Sequence, residues 1–76
     1  MQNTSIAMQM KLINRVKLAL VEQNRTGKWL AETLKKNETT VSRWCTNESQ
    51  PSLETLVEIA EVLDIDVKDL LVSTKK

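Results

Sequence analysis

The sequence has no histidine, tyrosine or phenylalanine, and one residue each of cysteine, glycine and proline. Without histidine, the usual general base, the usual partner of a nucleophile and the commonest metal ligand are missing. One Cys with no His cannot build a tetrahedral zinc site. Nor can a lone Cys45 form an internal disulfide, so the framework of small secreted domains is absent. No apolar run approaches the ~20 residues of a membrane span. Residues 1–5 (MQNTS) lack the charged start of a signal peptide, which makes the cytoplasm the expected location. The Asn-x-Ser/Thr triplets at Asn3, Asn24, Asn37 and Asn47 then read as chance matches.

What is present is 76 residues rich in Leu, Val, Glu and Lys, enough for one small domain. So few helix breakers argue for an all-helical fold. From Ile6 to Asn24 apolar residues recur at Ile6, Met10, Ile13, Val16 and Leu20, with Leu12 and Ala19 beside them. Steps of three and four mark one helix face and predict a long first helix. Thr4 or Ser5 can cap its start, and Asn24 suits a left-handed end. Thr26 is a natural cap for a second helix from Gly27 to about Leu34, with Leu30, Ala31 and Leu34 apolar. Lys35-Lys36-Asn37 separates it from a third helix, Glu38 to about Cys45, capped by Asn37 and carrying Val41, Trp44 and Cys45 inward. After a polar loop ending at Pro51, Ser52 caps a fourth helix whose apolar positions are Leu53, Leu56, Val57, Ala60 and Leu63. Asp66 opens a short fifth helix, with Leu70 and Leu71 facing the core, and residues 1–5 and 73–76 are expected to be loose.

Two short helices joined by three residues and flanked by packing helices form a helix-turn-helix arrangement. The run Thr26-Gly27-Lys28-Trp29-Leu30-Ala31-Glu32-Thr33-Leu34, then Thr39-Thr40-Val41-Ser42-Arg43-Trp44, resembles the Cro and lambda-repressor type of helix-turn-helix, the XRE family. Pro51-Ser52-Leu53-Glu54-Thr55-Leu56, Ile59-Ala60 and Asp69-Leu70-Leu71 extend the likeness over residues 13–71, with the motif itself at about 27–46. The order and spacing of these pieces together make the resemblance specific.

The resemblance implies a five-helix, lambda-repressor-like domain whose third helix enters the DNA major groove while the second crosses the backbone. Carried over position by position, Glu38, Thr39 and Arg43 would meet base edges. Gly27 (through its backbone amide), Lys28, Lys36, Asn37, Thr40 and Thr46 would meet phosphates. The chemistry suits these roles, since Arg can bond two acceptors on guanine, Glu can accept from cytosine and Thr can touch a thymine methyl. Each residue also has a plainer reading. Glu38 favours the helix dipole without any ligand. Thr39 could be a solvated surface residue, Arg43 could pair with Glu38 or Glu32, and Asn37 is a helix cap whatever else it touches. Lys35 and Lys36 could be a solvated turn. Trp44 and Cys45 read as core. Trp29 could lie against sugar-phosphate or pack on the first helix, and packing is favoured. The chain departs from the family at three positions. Gly27 stands where Gln is common, and Lys36 where an apolar residue is usual. Lys35 stands where Gly is usual, and a left-handed Lys costs roughly 1 kcal/mol.

The net charge of +1 hides an asymmetry. Residues 1–47 hold eight basic and three acidic side chains, whereas residues 48–76 hold three and seven. The part expected to read DNA is therefore basic, and the acidic fourth helix should face away from phosphate. The leading expectation is a sequence-specific double-stranded DNA-binding regulator, a small dimeric repressor with no enzymatic activity, cofactor or small-molecule ligand. One helix reads few base pairs, so a homodimer over half-sites about 10 base pairs apart is expected. Its surface could be Val62, Val67 and Val72, or Met8, Leu18 and Val21. The alternative is a helical protein-interaction module, an antitoxin or adaptor on the same fold.

Overall fold

The computed structural model describes residues 12–75. Among the described residues four α-helices follow one another: α1 (Val16–Glu22), α2 (Gly27–Leu34), α3 (Glu38–Cys45) and α4 (Leu53–Leu63), then a 3-10 turn (Val67–Leu70). The fold is all-helical, as expected, with the fifth helical segment reduced to that single turn.

The expected caps are in place at the starts of α2, α3, α4 and the 3-10 turn. The Thr26 hydroxyl accepts from the Trp29 amide, Asn37 from Thr39 and Thr40, Ser52 from Thr55, and Asp66 from Lys68. The helix ends show how a chain with one glycine manages without it. Asn24, Lys35, Asn47 and Asp64 follow α1, α2, α3 and α4 respectively, each with φ between 57° and 63°. At every one of these ends two amides fold back on the helix. Arg25 N–H donates to Leu20 C=O, Lys36 to Ala31, Glu48 to Arg43 and Ile65 to Ala60, at 2.8 to 3.0 Å. This pattern occupies carbonyls that a helix terminus otherwise leaves open. The only glycine, Gly27, sits at the start of α2, where its φ is not positive.

The long first helix is corrected. Its expected residues before Leu12, including Ile6, Met8 and Met10, lie outside the described residues, and helix α1 begins only at Val16. Residues before it are drawn sideways onto the chain after the 3-10 turn. Asn14 bridges antiparallel to Leu71, Arg15 N–H donates to Leu70 C=O at 2.8 Å, and Val72 N–H donates to Ile13 C=O at 2.9 Å. Backbone groups used laterally cannot join a helical ladder. Ile13, expected in the core, is consequently 45% exposed.

A polar knot secures this crossing. The Asn47 side-chain oxygen accepts from the amides of Ile13 and Asn14 at 2.7 and 2.8 Å, and its NH₂ donates to Asn14 C=O. Buried Asn14 donates in turn to Trp44 C=O and to the Gln50 side chain, while its oxygen accepts from Val16 N–H. The end of α3 is thereby tied to the start of α1.

The core is Val16, Ala19, Leu20, Leu30, Ala31, Val41, Trp44, Leu56, Ile59, Ala60, Leu63 and Leu70. Helix α4 presents a face turned by about one position from the expected one. Thr55 and Ile59 are buried, while Leu53 is 77% exposed and Val57 is exposed as well. Thr55 is admitted because its hydroxyl bonds the Ser52 hydroxyl at 2.9 Å, so no polar atom is stranded. Leu70 is buried, but the backbone turns extended at Leu71 and directs that residue to solvent, against expectation. Among the described residues no helix is long and apolar enough to cross a membrane.

Candidate nucleic-acid interface

Helix α3 is amphipathic. Its buried side holds Val41 and Trp44, with Cys45 half-buried, and its outer side holds Glu38, Thr39, Thr40, Ser42 and Arg43. Helix α2 packs more extensively on α3 than on any other element, and α3 also rests on α1. At the crossing, a methyl group added at Gly27 would lie 3.7 Å from Val41 Cγ1 and 3.9 Å from Cys45 Sγ, so the start of α2 sits close against α3. Helix α4 packs on α2 and on the 3-10 turn instead. Its acidic outer residues Glu54, Glu58 and Glu61 are exposed.

The turn between α2 and α3 is Lys35-Lys36-Asn37. Lys35 takes the left-handed conformation (φ 58°, ψ 45°) in the place where glycine is usual, as expected. Lys36, Asn37, Thr40 and Lys28 are exposed, and Gly27 is half-buried. The Asn37 side chain is committed to capping α3, with its oxygen 2.8 Å from the Thr39 amide. Thr46 is exposed but engaged, its one hydroxyl proton lying within reach of the Glu48 carboxylate at 3.1 Å and of Arg43 C=O at 3.3 Å. Thr39 and Arg43 thus share the outward centre of α3, with Glu38 on its flank. Thr40 and Lys36 border the face on the turn side.

A cleft of about 370 Å³ opens beside this face. Lys17, Arg25, Gly27 and Lys28 line one side and Glu38 and Ser42 of α3 the other. Sequence reasoning assigned no role to Lys17 or Arg25. It also missed that the Arg25 guanidinium stacks on Trp29, with Cζ 4.5 Å from the ring centroid. No helical spacing signalled it, because Arg25 lies before the N-cap of α2. Trp29 itself is half-buried and packs against the core cluster. Cys45 borders the same cleft, and burial pushes its thiol pKa up while Lys17 partly offsets this.

A model of the helix-turn-helix family, XRE type, matches residues 16–70. The chain belongs to that family. Helices α2 and α3 and the three-residue turn between them have the helix-turn-helix arrangement. Among solved structures, a Bacteroides fragilis protein described provisionally as DNA-binding has 52% sequence identity and a TM-score of 0.78. The similarity covers 79% of this chain and 97% of that one. Among curated proteins, none matches the chain. Among the described residues no group of three or more Cys, Asp or Glu side chains is arranged to hold a metal ion.

Proposed function

We propose that this helix-turn-helix protein is a sequence-specific regulator of transcription that reads double-stranded DNA with α3. The observation that carries the reading is the exposed α3 face of Thr39 and Arg43, flanked by Lys28 and Lys36. Arg43 and Thr39 contact base edges, with Glu38 reading the position beside them. Lys28, Lys36, Thr40, Thr46, Asn37 and the Gly27 amide hold phosphates and fix the register. The exposed acidic residues Glu54, Glu58 and Glu61 of α4 support an orientation with α4 away from the duplex. The protein works as a non-enzymatic repressor in the cytoplasm.

The test pairs two variants. Arg43→Ala should cost about 1–3 kcal/mol on the selected site and relax preference at one position, while Lys36→Ala should weaken all duplexes alike. Four to six phosphate contacts per subunit should give a log–log salt slope near −4 to −5 for each subunit bound, at roughly −0.9 per contact. Unchanged site preference in Arg43→Ala, with a stable protein complex found instead, would support an adaptor on the same fold.

The protein acts as a homodimer. An apolar groove of about 620 Å³ brings Leu18 and Val21 together with Val72 and Leu12. Members of both dimer surfaces expected from the sequence therefore line one groove. It reaches Cys45 and Asn47 at the end of α3. Leu18→Glu should leave the fold intact and yield monomers by light scattering. A wild-type protein that is monomeric both free and on a palindromic duplex would rule the dimer out.

A further inference from the structure

Two cations beside the motif, and the tryptophan under one of them, remain without a role in the function above. Lys17 projects from α1, Arg25 lies in the turn after α1, and Lys28 lies in the first turn of α2. All three line the cleft of about 370 Å³, against one carboxylate, Glu38. Three segments thus place their cations along one cleft, where their fields add at any anion that enters. The volume equals about a dozen waters at roughly 30 Å³ each, ample for a phosphodiester group with part of its hydration. The cleft's far wall is α3 itself, so an anion seated there belongs to whatever α3 reads.

Arg25 is also held in place. Its guanidinium stacks on Trp29 at 4.5 Å, and its backbone amide donates to Leu20 C=O at 2.8 Å. Stacking uses the face of a guanidinium and leaves the N–H groups at its edge free to donate. The platform is firm, because Trp29 packs on the core and its amide is capped by Thr26. A side chain fixed before binding loses less rotamer entropy on meeting phosphate.

Building on the DNA reading above, we propose that Lys17 and Arg25 join Lys28 in a seat for a DNA backbone phosphate, and that Trp29 is the residue positioning Arg25 in it. The contact is sequence-independent and extends the footprint onto α1.

Duplex affinity measured against salt concentration tests this. Lys17→Ala and Arg25→Ala should each weaken selected and unrelated duplexes by the same factor. Each should flatten the log–log salt slope by about 0.9 per subunit, about 1.8 for a homodimer on its site, so that the affinity lost between 50 and 200 mM salt shrinks about twelvefold. Trp29→Phe, which keeps a ring, should hold the wild-type slope. Trp29→Leu should flatten it as Arg25→Ala does, and should add nothing when combined with Arg25→Ala. Unfolding temperature is read for every variant, and Trp29→Met replaces Trp29→Leu if the latter does not fold. Unaltered slopes in Lys17→Ala and Arg25→Ala would overturn the proposal while Arg43→Ala still loses site preference. A wild-type chain that binds no duplex would instead overturn the DNA reading beneath it. Inorganic phosphate is titrated at constant ionic strength as a control. Saturation of the cleft by phosphate, without any change in duplex affinity, would assign it to a free anion and also overturn the proposal.

Discussion

Lys35→Gly should stabilise this protein although it removes a whole side chain. Lys35 stands at φ 58° and ψ 45°, where a side chain crowds the following carbonyl. That conformation costs a non-glycine residue roughly 1–2 kcal/mol. The turn cannot relax out of it, because the amides of Lys35 and Lys36 close α2 by donating to Glu32 and Ala31 at 3.3 and 2.9 Å. The Lys35 side chain is exposed, so its loss removes no packing. Against the relief stands the greater backbone entropy of an unfolded glycine, about 0.5–1 kcal/mol. The balance is a gain of about 0.5–1 kcal/mol, which raises Tm by about 2–8 °C in a domain of this size. Thermal and urea unfolding followed by circular dichroism measure it. Lys35→Ala is the decisive companion, because it removes the same charge but keeps the Cβ, and its Tm should stay near wild type. A Tm that does not rise in Lys35→Gly, or an equal rise in Lys35→Ala, would refute the reasoning.

The same substitution one helix later should have the opposite sign. Asn47 shares the left-handed conformation, but its side chain bonds the amides of Ile13 and Asn14 and the carbonyl of Asn14. Asn47→Gly should therefore destabilise by about 1–3 kcal/mol, as bonds worth about 0.5–1.5 kcal/mol each are lost. Hydrogen exchange should show the loss first at residues 13–15. Cys45 offers a pH test. Burial raises its pKa in the folded chain, so the unfolded chain releases this proton first. Its contribution to stability is full below the unfolded pKa and is lost as pH rises through the folded value. Chemical unfolding should show declining stability above about pH 9, absent in Cys45→Ala. Alkylation of the folded thiol near neutral pH should be slower than that of the unfolded chain.

The order of the helices and their caps was legible in the sequence because both depend on neighbouring residues. Thr26, Asn37, Ser52 and Asp66 cap groups two or three positions away, and the apolar spacing of α2 and α3 points inward as read. The start of α1 was not legible. Ile13 fits the helical spacing, yet its backbone is taken by Val72, more than fifty residues along the chain. The face of α4 failed for a related reason. Leu53 and Val57 extend an apolar stripe as well as Ile59 does, and only tertiary packing selects among them. In the candidate site, the motif and its exposed residues could be named by position along α3. The cleft joining Lys17, Arg25 and Lys28 could not, since it exists only once α1 is folded against α2 and α3.

Selection of duplexes from a random pool by the purified protein tests the central claim most directly. The account predicts one enriched site with two-fold symmetry and half-sites about 10 base pairs apart, and loss of preference at one position per half-site in Arg43→Ala. A pool that stays random after repeated rounds, or enrichment that Arg43→Ala leaves untouched, would contradict it.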